Sequence, residues 1–203
     1  MARKGIKNKL TATAFHEAGH AVVAILQGLH VEAVSVRRRG DANGSCLRPS
    51  LIMYNGCDPR ERKELARSSI ITNYAGIEAE RLFDSNAPEW HGKADFENAF
   101  NTSREYAVLP RNCAIIGDDA HLKYLQRLRV KARQLVGRHR STIEKVADLL
   151  IRQRTLALSE DEKDRLTGQE VEQSIEKILA SDFDPAPETP DLGWVDGYSS
   201  LPS

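Results

Sequence analysis

The chain has few cysteines, no net charge and no long apolar run, and each lack removes a class of protein. Its three cysteines, Cys46, Cys57 and Cys113, are widely spaced, odd in number and form no Cys-x-x-Cys pair. Free structural thiols in a reducing cytoplasm are the expectation, not a disulfide framework. Lys plus Arg number 29 and Asp plus Glu number 29, so overall charge favours neither nucleic acid nor an acidic substrate. The longest apolar stretch lies near Ala21–Leu29, far short of the roughly 20 residues that span a bilayer. No signal peptide is expected, because the basic start (Arg3, Lys4, Lys7, Lys9) runs straight into a helical segment. Nor is there a Gly-x-x-x-x-Gly-Lys-Ser/Thr loop to cradle a nucleotide's phosphates.

What is present fits one domain of 203 residues, long enough to bury about 70% of its unfolded surface without staples. The periodicities predict a mainly α protein with a small antiparallel β-sheet, an α+β fold. Thr11 to Gly28 reads as one helix, with Thr11 or Thr13 as N-cap and Gly28 as stop. Val31–Val36 alternates as a strand, Arg39–Gly44 as a turn, and Ser45–Tyr54 as a returning edge strand broken by Pro49. Helices are then predicted over Pro59–Phe83, Lys93–Val108, Asp118–Val136 and Ser141–Arg154. Thr167-Gly168-Gln169-Glu170 is a capping box opening a last short helix to Leu179. Residues 1–10 are expected to be a solvated basic segment, 11–180 the domain, and 181–203 a flexible acidic, proline-rich tail holding Trp194 and Tyr198. Lys123–Arg154 is mostly basic and Glu160–Asp191 mostly acidic, which reads as solvated helix faces attracting each other.

The chemistry concentrates in Phe15-His16-Glu17-Ala18-Gly19-His20-Ala21. On an α-helix His16 and His20 share a face about 6 Å apart along the axis, so both imidazoles can converge on one ion. Glu17 projects about 100° round from His16, where it can reach a water held by that ion. This is the zinc-hydrolase pattern of two histidine ligands, a carboxylate base and an open position. The flanking residues from Ala18 to Leu26 are mostly small or apolar, so the helix is expected to be buried. Two histidines and a glutamate there need partners.

Catalytic zinc usually takes three protein ligands. The longer signature His-Glu-x-x-His-x-x-Gly-x-x-His is not met, since Val23 and Leu26 stand at its last two fixed positions. The candidates for the third ligand are His30, Glu78, Glu80, His91 and Asp95. His30 falls just beyond the helix end. Glu78 and Glu80 lie on a predicted helix, and Asp95 opens another after a loop.

The sequence resembles the peptidase domain of the FtsH family, the AAA-associated zinc metalloproteases of peptidase family M41. Phe15–Ala21 is similar to that family's active-site signature, and Val31–Gly40 to the strand and turn that follow it. Tyr74-Ala75-Gly76-Ile77-Glu78-Ala79-Glu80 resembles its Gly-Gly-Arg-Ala-Ala-Glu helix. Gly92–Ala99, continuing to Arg104, resembles its Gly-Ala-Ser-Asn-Asp-Leu segment. Val136–Leu158 and Leu166–Val171 are similar to its closing helix and cap. The likeness spans about Thr11 to Leu179. It implies Zn²⁺ held by His16, His20 and Asp95, Glu17 as general base, and Glu80 orienting a zinc histidine. Three departures stand out. Gly92 to Asp95 is one residue shorter than the family segment, Gly76-Ile77 replaces Gly-Arg, and the chain is expected to lack the family's ATPase module and membrane segments.

The expectation is therefore a cytoplasmic, stand-alone, zinc-dependent metalloendopeptidase of an otherwise ATP-dependent peptidase family. Its polypeptide substrate would be unfolded or disordered, docking along the edge strand near Gly44–Leu51. A homo-oligomer like the family's hexamer, or a separate unfoldase, is the partner the resemblance implies. Two alternatives stand beside this: an inactive, zinc-stabilised regulatory or assembly subunit, and a regulatory protease that cuts one repressor.

Overall fold

The computed structural model describes residues 2–36, 44–47, 58–106, 108, 116–153, 155–156, 173, 175–177 and 179–180. The protein is mainly helical with a small antiparallel sheet. In chain order come α1 (Ala2–Leu26), β1 (Ala33–Ser35), β2 (Ser45–Leu47), α2 (Pro59–Phe83), a 3₁₀ turn (Glu89–Gly92), α3 (Lys93–Glu105), α4 (Asp119–Arg138), α5 (Arg140–Gln153) and β3 (Thr155–Leu156). The remainder of the expected second strand, the capping box at Thr167–Glu170, Cys57, Cys113 and the 181–203 tail lie outside the described residues.

α1 begins well before the expected start. Thr11 and Thr13 are inside it, not at its cap, and the Thr13 hydroxyl donates back to the Lys9 carbonyl at 3.0 Å. Residues 2–10 hold no proline, and their one glycine, Gly5, costs a helix only about 1 kcal/mol, so the helix can extend through them. The end is as expected. Gly28 sits at φ 71°, its N–H bonds the Ile25 carbonyl, and Leu29 N–H reaches back to Ala24. That pair of bonds is a Schellman stop. α2 starts at an Asp58-Pro59 junction, where the Asp58 carboxylate accepts from Arg60 N–H and proline has no N–H to satisfy. Asp118 caps α4 in the same way, accepting from His121 N–H at 2.8 Å.

α2 is the central helix. Ile70 to Glu80 is buried without interruption, so it is covered on every side for about three turns. α1 lies along it, and α3 and α4 pack against it as well. α4 and α5 are one-sided. His121, Tyr124, Leu125, Leu128, Ala132 and Val136 make the buried stripe of α4, and Thr142, Ile143, Val146, Ala147 and Leu150 that of α5. Near the C-terminal end, Ile175 is buried in the same core. The sheet has the order β2-β1-β3 with antiparallel pairing, Val34 facing Cys46 on one side and Leu156 on the other. β3 is an addition to the expected pair of strands. It puts β1 in the middle, and all three residues of β1 are buried in place of the expected half-buried alternation.

α1 meets α2 at small residues. A Cβ on Gly19 would stand 2.7 Å from the Ala75 carbonyl oxygen and overlap the Ala79 side chain. Gly137 in α4 has nothing within 4 Å of the same position. Alanine gains about 1 kcal/mol of helix propensity over glycine, whereas overpacking a tight contact costs about 1–3 kcal/mol. Gly137→Ala should therefore raise the melting temperature and Gly19→Ala should lower it. Thermal unfolding of both variants checks the opposite signs.

Candidate metal centre

One turn of α1 brings the His16 and His20 rings edge to face, with centroids 4.8 Å apart. The backs of both rings are tied down. His20 Nδ1 lies 2.8 Å from the Thr72 carbonyl, which can only accept, so the ring donates there. His16 Nδ1 lies 3.2 Å from Glu80 Oε2 and donates to that carboxylate. Both Nε2 atoms then face forward. Asp95 Oδ2, at the first turn of α3, lies 3.0 Å from His16 Nε2 and 3.5 Å from His20 Nε2.

Three acceptors converging on one point need a positive charge between them. Burial alone would discourage a proton on His16. The carboxylates of Asp95, Glu80 and Glu17 outweigh that cost and push its pKa up to about 10. Burial likewise works against ionised Asp95, yet the two histidines hold its pKa well below the usual carboxylate range. Glu80 is also held low against its burial, by His16 and His91.

The donor set fits a divalent ion. The three ligand atoms lie within 4.8 Å of one another, and this is the group of that kind among the described residues. A tetrahedral ion with bonds of 2.0–2.1 Å separates its ligand atoms by about 3.3 Å, close to the 3.0 and 3.5 Å seen between Asp95 and the two rings. Room for the cluster comes from Gly76 of α2. A Cβ there would come within 2.5 Å of His20 Nε2 and 2.6 Å of His16 Nε2.

Glu17 is 7% exposed and lies against Gly44, the residue before edge strand β2. It lines a cleft of about 730 Å³ together with His16, Glu80, His91, Phe83 and Trp90. The other candidate ligands are placed elsewhere. Glu78 turns to the opposite side of α2, where Arg129 and Arg133 reach it at 2.8 and 2.7 Å. His91 Nδ1 bonds Glu80 Oε1, so Glu80 is shared between two histidines. His30 is exposed beyond the end of α1 and does not join the cluster.

Sequence reasoning missed three participants: the Thr72 carbonyl, Gly76 as the space beside both ring tips, and His91 as the second partner of Glu80. The last two lie in segments already singled out. A main-chain carbonyl leaves no mark in a sequence. A further buried histidine, His121, is structural. It accepts from Gly117 N–H at 2.9 Å on one nitrogen and pairs with the Ser103 hydroxyl at 2.8 Å on the other.

No protein-family model matches the chain, and none of the curated proteins compared with it matches significantly.

The unfolded chain's His16 titrates near 6.5 and the folded one near 10. The protonated ring thus stabilises the metal-free fold fully below pH 6.5, and that contribution fades as pH rises towards 10. A divalent ion bound at His16 would have to displace this proton. Affinity for Zn²⁺, read in chelator-buffered titrations between about pH 7 and pH 8, should strengthen about tenfold per unit. A flat profile would mean that His16 is already neutral.

Proposed function

We propose that the chain is a zinc-dependent metallopeptidase whose catalytic unit resembles the FtsH-type peptidase domain. The observation that carries the reading is the meeting of His16 Nε2, His20 Nε2 and Asp95 Oδ2 beside a buried Glu17 and an open cleft. His16, His20 and Asp95 would hold the ion. Bound there, zinc supplies Lewis acidity, which lowers the pKa of water towards about 7 and polarises a carbonyl.

The chain's own residues account for the rest. Thr72 and Glu80 hold the Nδ1–H of each ring on the side away from Asp95, which leaves both Nε2 atoms as the ones that would meet an ion. Glu17 takes the proton of the attacking water and passes it to the leaving amine. β2 has one strand neighbour, β1, among the described residues, and Gly44, the residue before it, lies against Glu17. An extended peptide added at that edge would lie beside the general base, held by main-chain bonds with loose sequence preference. The fitting substrate is a disordered or already unfolded polypeptide, or one delivered by a separate unfoldase, because only an extended segment can add at that edge.

Glu17→Gln should retain bound zinc yet cleave an unfolded protein substrate at least about 100-fold more slowly, the least a positioned general base contributes. Asp95→Asn should bind metal more weakly, through His16 and His20 alone, and lose activity. Metal analysis beside a peptidase assay, with and without chelator, checks both. A wild-type protein that binds zinc and cuts nothing would favour the regulatory-subunit alternative, and unimpaired cleavage by Glu17→Gln would remove the glutamate from the chemistry.

A further inference from the structure

The start of α3, which carries Asp95, is not fixed by its own sequence. Its N-cap is Gly92, with no side-chain capping bond. The preceding 3₁₀ turn lacks a side-chain cap too. Yet Asp95 Oδ2 must be held within a fraction of an ångström to meet two rings at once.

Arg129 of α4 supplies what the local sequence omits. Its guanidinium forms a fork. Nε donates to Glu78 Oε1 of α2 at 2.8 Å, and Nη2 donates to both carboxylate oxygens of Glu89 at 2.9 Å. Its face lies over the Phe96 ring, 5.0 Å from the centroid, and Phe96 is the residue after Asp95. One side chain, 14% exposed, thus touches the central helix, the turn before α3 and the first turn of α3. Arg81 Nη2 adds a bond to Glu89 Oε1 at 2.6 Å, and Arg133 completes Glu78 from behind. Within the same turn, His91 is fastened to Glu80.

We propose that Arg129 is a positioning residue for Asp95, acting through Glu89 and Phe96 to set where the third ligand meets the histidines. This rests on the reading of His16, His20 and Asp95 as a metal site. Buried ion pairs contribute little net stability compared with apolar packing, so a purely cohesive role would be served as well by a hydrophobic side chain. A planar fork that bridges two carboxylates while its face covers a ring fixes direction as well as contact.

The test uses Co²⁺ binding to the full chain, followed by its visible absorption, in Arg129→Met, Asp95→Asn and the double variant. Arg129→Met should weaken Co²⁺ binding about 10- to 100-fold, the usual effect of losing an outer partner of a metal ligand. Its absorption should shift towards that of Asp95→Asn. In the Asp95→Asn background the same substitution should add almost nothing, because the residue it positions is gone. Additive losses, or unchanged Co²⁺ affinity in a folded Arg129→Met, would overturn the proposal. If Arg129→Met does not fold, Glu89→Gln decides. It weakens two of the fork's bonds at a half-exposed carboxylate, and unaltered Co²⁺ affinity there would equally overturn it. A wild-type chain that binds no Co²⁺ would refute the metal site itself, which is a different outcome from intact binding that ignores Arg129.

Discussion

The crossing of α1 over α2 is the contact on which the site depends. At Gly19 and Ala75 the helices touch with no side chain between their backbones. One turn further along α2, Ala79 is small enough to keep the interface narrow. At Gly76 the missing Cβ is the space that the two imidazole tips occupy. A larger residue at either glycine would push the rings away from the central helix. Small side chains contribute little hydrophobic energy of their own, about 0.8 kcal/mol per buried CH₂. Their value here is geometric, since they let polar groups of α1 reach polar groups of α2 without water between them.

Because Ile70–Glu80 of α2 is buried all round, its polar groups need partners, and three other elements supply them. The Thr72 carbonyl is taken by His20 of α1, Glu80 by His16 of α1 and His91 of the 3₁₀ turn, and Glu78 by Arg129 and Arg133 of α4. Leaving any of these unpaired would cost more than the bond returns when made. The network therefore sets the rotation and register of the surrounding helices, while the apolar stripes of α4 and α5 supply the bulk of the burial. Glu78 and Glu80 are two residues apart on one helix and serve opposite faces, one holding the scaffold and the other orienting a ring.

Much of the fold is legible in the residues, and the limits have physical causes. α2 is readable to the residue, because Asp58-Pro59 is a strong start and its apolar side runs unbroken. α4 and α5 fall within two residues of expectation at each end. The start of α1 is misread when threonines that can cap outweigh a preceding stretch without breakers. β3 is two residues long, too short for any periodicity to mark it. At the site, the His16–His20 pair follows from helical spacing alone. Asp95 does not, since five residues could serve and spacing leaves them open. The resemblance singles it out, and the fold brings its carboxylate to both rings. Glu78 shows why spacing is insufficient: a helix says which residues share a face, but not which neighbour that face will meet.

The three converging atoms come from distant parts of the chain, His16 and Asp95 being 79 residues apart. In the unfolded chain the two histidines remain near each other, but the carboxylate is lost to them. Any ion that binds all three consequently favours the folded state by its full difference in affinity, and it joins α1 to the first turn of α3. Without an ion, the protonated His16 ring performs the same joining, its Nδ1–H donating to Glu80 and its Nε2–H to Asp95. The proton is a weaker staple, since it links His16 to each carboxylate separately and leaves His20 facing Asp95 at the longer distance of 3.5 Å. A dication placed among the same atoms would satisfy all three lone pairs at once. The cluster is thus held together by protonated His16 alone but would be completed by a bound dication, which would then couple the fold of α1, α2 and α3 to its binding.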